Sequence, residues 1–123
     1  MRASHHLRFG ARLALELLDD PDRTYVASDF LRLEVLPKAK FQKNRQEALF
    51  YETFFDEASR VVVSSSRLIR EAEIEAGKAG LSAVDALHVA AAKRARCVEL
   101  VTAEKPTKPL FRAAGIQITS IRS

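Results

Sequence analysis

Stretches of helical apolar spacing alternate along this chain with short β-branched runs, and that alternation predicts its elements. Leu7, Ala11, Ala14, Leu15 and Leu18 keep the period of an amphipathic helix between Ser4 and Leu18, and the turn-forming segment DDPDR closes it. TYVA, residues 24–27, is short, β-branched and aromatic, the signature of a strand. Ser28 is a suitable N-cap for a helix carrying Phe30, Leu31, Val35 and Leu36 as far as Pro37. Residues 43–58 predict another amphipathic helix through Ala48, Leu49, Tyr51, Phe54 and Phe55, followed by a buried strand RVVV at 60–63. Ser64 to Ser66 open a helix that runs through Leu68, Ile69, Ala72 and Ala76 to Gly77 or Gly80. The next helix extends from Ser82 to about Arg96, with a strand at about 98–101 after it. A short helix near 107–113 ending at Gly115, and the strand IQITSI, complete the pattern.

Helices and strands in this order predict an α/β fold, a parallel sheet covered by helices on both faces in three layers. Such sheets usually open on a strand, whereas this pattern opens on a helix, so an opening strand is missing from it. With 123 residues and 47% hydrophobic content the chain suffices for one domain over 1–123 and is too short for two. The lone Cys97 excludes an internal disulfide and reads as a small buried thiol in a reducing compartment. Charges interrupt every long apolar stretch, and the first residues form neither a sustained apolar segment nor a cleavage site; a cytoplasmic chain with no membrane association is expected. The net charge of +4 is mild, but its cations cluster at Lys38, Lys40, Lys43 and Arg45, at Lys93, Arg94 and Arg96, and at Lys105, Lys108 and Arg112. A polyanionic partner and a plain solvated surface fit those clusters about equally.

In a parallel sheet, helices that follow a strand and helices that lead into one both begin at the carboxyl edge. Glu34 lies in the helix after TYVA, Asp85 in the first turn of the helix that leads into ELVT, and Glu104 just after that strand, so all three belong to one edge. Each has a plainer alternative. Glu34, on the face expected to be core beside Phe30 and Leu31, could pair with Arg32 or turn to solvent. Asp85 with Ser82 fits a capping pattern, and Glu104 beside Lys105 fits a surface loop. Together they make a carboxylate set without a His or Cys framework, which suits Mg²⁺ or Mn²⁺ and not zinc. A cation would relieve the repulsion among the acids, lower the pKa of a bound water and neutralise charge on a phosphodiester. His88, one helical turn beyond Asp85, could orient a ligand or phosphate, although a packed histidine is the more common case.

The segments SDFLRLE, LSAVDALHVAAA and ELVTAEKPTKPLFRAAGIQITSI resemble the PIN-domain family, including the toxin halves of VapBC-type toxin-antitoxin pairs. The resemblance implies a parallel sheet flanked by helices, cleavage of single-stranded RNA with Mg²⁺ or Mn²⁺, frequent homodimers and often an antitoxin partner. Glu34, Asp85 and Glu104 match three of the family's acidic positions, with Glu104 standing where Asp is commoner, and Thr102 matches a hydroxyl residue beside that acid. The family's opening strand, ending in an Asp, has no counterpart, and Asp19, Asp20 and Asp22 do not replace it. This departure implies weak or absent cleavage and a poor monomer. The rival expectation is a non-catalytic module of the same type that binds RNA or an antitoxin; a phosphoacceptor domain is disfavoured because RVVV is followed by Ser64 and Ser65.

Overall fold

Hydroxyl and amide side chains decide where helices begin in this chain. A computed structural model describes residues 24–102 and 104–120. Its elements run β1 (Val26–Ser28), α1 (Asp29–Phe41), α2 (Arg45–Glu57), β2 (Arg60–Val62), α3 (Ser66–Ala79), α4 (Ala83–Arg94), β3 (Glu99–Thr102), a 3₁₀ turn (Pro109–Arg112) and β4 (Gln117–Ser120). Ser28 Oγ accepts from the Leu31 N–H at 3.0 Å and Asn44 Oδ1 from the Glu47 N–H at 3.1 Å. Ser65 Oγ likewise takes the Leu68 N–H at 3.1 Å, and Ser82 Oγ the Asp85 N–H at 3.2 Å. Each bond satisfies a first-turn donor that has no partner within its helix and contributes about 1 kcal/mol. The chain divides between Val63 and Ser64 into two compact units.

In the first unit β1 pairs in parallel with β2, Val26 opposite Arg60 and Ser28 opposite Val62. The Tyr25 carbonyl fixes this register by accepting from the Ser59 N–H at 2.8 Å and the Ser59 hydroxyl at 2.9 Å. Ala27, Leu36, Ala39 and Val62 are buried. The α2 helix carries its aromatic residues as edge-to-face pairs, Phe54 against Phe55 at 5.3 Å and against Tyr25 at 6.2 Å, with the Arg32 guanidinium 5.4 Å above the Phe55 ring. Among its described residues none is fully buried.

In the second unit α3 and α4 pack side by side through small residues. Ala72 faces the seam from α3, and Ala86, Val89, Ala90, Ala91 and Ala92 are buried on α4, with Leu68 fully enclosed. Short side chains let the two backbones approach closely. Two ion pairs brace the seam, Lys93 to the buried Glu75 at 2.8 Å and Arg94 to Glu71 at 3.0 Å. β3 and β4 pair in parallel from Glu99 opposite Gln117 to Thr102 opposite Ser120. Arg112, at the end of the 3₁₀ turn, donates to the Gly80 carbonyl at 3.0 Å and ties that turn to the end of α3. Gly115 has φ +85, and a Cβ there would lie 3.2 Å from Lys93 Nζ.

The α/β class and the parallel pairing agree with the sequence reading, with the described strands arranged as two pairs. The predicted helix from Ser4 to Leu18 lies outside the described residues. Pro37 does not end α1, which continues to Phe41. The carbonyl deprived of its donor by Pro37 belongs to Leu33, a residue 74% exposed, while buried Leu36 and Ala39 hold the last turn from the other side. The first strand is shifted to Val26–Ser28, the third to Glu99–Thr102, and the short helix near 107–113 is a single 3₁₀ turn. Cys97 is half-buried at the end of α4.

Two helix ends use a long cation where glycine is usual. Lys43 (φ 55) and Arg96 (φ 59) sit in the left-handed region. Around them, Lys43 N–H bonds Lys40 C=O and Asn44 N–H bonds Ala39 C=O, both at 3.0 Å, and Arg96 and Cys97 repeat the pattern onto Lys93 and Ala92. These are Schellman closures, and the motif fixes φ whatever the side chain. A left-handed L-residue costs about 1–2 kcal/mol, part of which glycine returns through its freer unfolded chain. Lys43→Gly therefore raises the unfolding free energy by about 0.5–1 kcal/mol in urea denaturation; a loss of stability would refute this account of the turn.

Candidate functional site

The carboxyl end of β3 is the best-defined corner among the sequence-predicted positions. Thr102 is the last residue of the strand, and its Oγ1 accepts from the Glu104 N–H at 3.1 Å, a hydroxyl turn that stops the strand and sets the loop. Ser120, opposite Thr102 at the end of β4, donates its hydroxyl to the Glu104 carbonyl at 2.6 Å. Both polar groups of the Glu104 backbone are thus held by side chains, one from each strand. The residue is half-buried, and exposed Lys105 and Lys108 follow it.

Asp85 stands in the first turn of α4, half-buried, its N–H taken by Ser82 as the capping pattern predicts. Because α4 leads into β3 through the short connection 95–98, its first turn belongs by topology to the edge where β3 and β4 end. Asp85 and Glu104 therefore share an edge within the second unit. His88, also half-buried, lies one helical turn beyond Asp85.

Glu34 belongs to the first unit, in the second turn of α1 after the carboxyl end of β1. The expectation that it lies on the core face is corrected: Glu34 is exposed, and α1 buries Leu36 and Ala39. Reading Phe30 and Leu31 as core misplaced that face, since both are only half-buried. Among the described residues no group of three His, Cys, Asp or Glu side chains gathers closely enough to hold a metal ion. The donors at the β3 edge are carboxylate oxygens all the same, and Mg²⁺ is commonly held by one or two carboxylates, its other positions filled by water and substrate phosphate. Asp85 and Glu104 fit that habit.

The structure also places features that periodicity did not reveal. Ser120 is one, since parallel register cannot be read from a single sequence. Glu99 is another; its carboxylate accepts from the Thr119 hydroxyl across the β3–β4 pair, at the end of β3 away from Glu104. Several cations of the predicted basic clusters serve internal bonds: Lys93, Arg94 and Arg112 do so in the second unit, and Lys40 lies 3.9 Å from Glu52 in the first.

On the α1–α2 pair, burial pushes the Tyr51 phenol up to about 12, and the charges of Glu47 and Glu34 add to the shift. Burial likewise raises the Glu47 carboxyl, against the pull of Lys38, while Asn44 Nδ2 donates to that carboxylate at 3.0 Å. Because the folded phenol titrates above its ordinary 10.0, the stability linked to neutral Tyr51 is whole below about pH 10 and is lost as pH rises through about 12. Ultraviolet titration of phenolate should show a component near pH 12 that disappears in Tyr51→Phe and moves back toward the ordinary value in Glu34→Gln; an unchanged titration in Glu34→Gln would mean that Glu34 does not act on this phenol.

No curated protein and no solved structure matches the chain. The family model of the PIN domain matches residues 6–106, a span that includes Glu34, Asp85, Thr102 and Glu104. Domains of this family are generally nucleases and typically use divalent metal ions. On that match over most of its length, this chain belongs to the PIN-domain family.

Proposed function

We propose that the chain is a metal-dependent endoribonuclease of the PIN type, with Glu34, Asp85 and Glu104 as its catalytic acids and Mg²⁺ or Mn²⁺ as its cofactor. The observation that carries this reading is the β3 edge, where Glu104 is fixed by hydrogen bonds to both of its backbone groups and Asp85 opens the neighbouring helix. Asp85 and Glu104, both in the second unit, hold the cation, and Glu34 is the third acid that the family resemblance adds. A divalent ion so held supplies charge neutralisation and water activation for phosphodiester hydrolysis. Thr102 keeps the Glu104 loop in place, and His88 orients the substrate phosphate. Exposed Lys105 and Lys108 draw the RNA backbone toward the acids by simple charge attraction.

The same reading makes the chain a single functional domain over 1–123, acting on single-stranded RNA in the cytoplasm as a homodimer and as the toxin half of a pair with an antitoxin protein. PIN domains commonly bind RNA and antitoxins. Among the described residues no helix is long and apolar enough to cross a membrane.

Labelled single-stranded RNA incubated with the chain and Mn²⁺ should be cut internally, though only weakly, and a chelator should stop the reaction. Asp85→Asn and Glu104→Gln should each slow cleavage roughly 100-fold, or about 2.7 kcal/mol of barrier, without changing the circular dichroism spectrum. RNA binding that survives both chelation and Asp85→Asn, with no cleavage, would instead identify a non-catalytic RNA- or antitoxin-binding module.

A further inference from the structure

We propose that Ser120 is a positioning residue for Glu104, acting through the backbone of that acid; this rests on the reading of Glu104 as a metal ligand. Its hydroxyl donates to the Glu104 carbonyl at 2.6 Å, while Thr102 Oγ1 receives the Glu104 N–H at 3.1 Å. The two bonds approach the residue from its two sides and come from residues that face each other across the β3–β4 register. Together they fix the direction in which the Cα–Cβ bond leaves the main chain.

That constraint has a particular value for a glutamate. Its carboxylate is carried on one more rotatable bond than an aspartate's, so an error in the starting direction is amplified at the oxygens and more rotamer freedom is lost when they are fixed. Thr102 alone would leave the carbonyl side of the residue to the loop that continues into exposed Lys105 and Lys108. Ser120 closes that side from the last strand. It touches neither substrate nor cation, and its effect passes through Glu104. Groups behind a ligand commonly matter ten- to a hundred-fold for metal affinity, and a bond to the ligand's backbone belongs at the lower end.

The test is Mn²⁺ binding to the full chain, followed by the paramagnetic resonance of the free ion, in the wild type and in Ser120→Ala, Ser120→Val, Ser120→Thr and Gln117→Ala. Gln117 is exposed on the same strand and serves as the control. The expected result is an affinity roughly ten-fold weaker in Ser120→Ala and Ser120→Val, near wild type in Ser120→Thr, which keeps the hydroxyl, and unchanged in Gln117→Ala. Ser120→Ala and Ser120→Val binding as tightly as wild type would overturn the proposal. Ser120→Thr as weak as Ser120→Val would overturn it too, because shape and not the hydroxyl would then matter. Unfolding of all three Ser120 variants would assign the residue to stability alone. A wild type that binds no Mn²⁺ would remove the metal-site reading itself, an outcome seen before any variant is measured.

Discussion

The parallel pairing of β3 with β4 is the constraint on which the candidate site depends. Its register sets Thr102 opposite Ser120, and those two hydroxyls meet the backbone of the acid that follows the strand. A slip of one residue would turn every side chain of β4 to the other face and carry the Ser120 hydroxyl away from the Glu104 carbonyl. Nothing in the acid itself supplies this order. A glutamate in a loop beside lysines is ordinarily a solvated side chain with many rotamers, and here the ends of two strands restrict where it starts.

The α3–α4 seam makes a second contribution of the same kind. The alanines of α4 remove the bulk that would keep the helices apart, and Lys93 and Arg94 close the seam by pairing with Glu75 and Glu71. The Arg94 pair is partly exposed and contributes little by itself. The Lys93 pair sits deeper, where losing one partner would strand the other charge out of water. Cations that the sequence offered as a surface for polyanions thus serve partly as internal braces. The exposed basic residues closest in sequence to Glu104 are Lys105 and Lys108.

Much of this was legible beforehand because local rules and the fold agree. Ser28, Ser82 and the run Ser64–Ser66 announced helix starts, and of Gly77 and Gly80, both offered as stops, the chain uses Gly80. Strand positions came out within one or two residues. The failures also have physical causes. Pro37 lies inside α1 because the turn it disturbs faces water, a property of the tertiary surroundings and not of the dipeptide. Glu34 was assigned to the buried side from its apolar neighbours, yet Leu33 and Glu34 both face outward. The partnership of Ser120 with Glu104 spans sixteen residues and depends on strand register, which no periodicity encodes. Lys43 and Arg96 adopt a conformation that composition alone would reserve for glycine.

Gly115 shows how little exposure alone says about which positions of this chain can vary. It lies on the surface, yet even the smallest side chain at that point would crowd the ammonium group of Lys93 and start from a conformation that L-residues resist. Relief would come most easily by moving the lysine, whose departure would leave the buried carboxylate of Glu75 uncompensated. A loop that looks free to drift in evolution is thereby bound to the interior, and the tolerance of its neighbours to replacement ends abruptly at one residue.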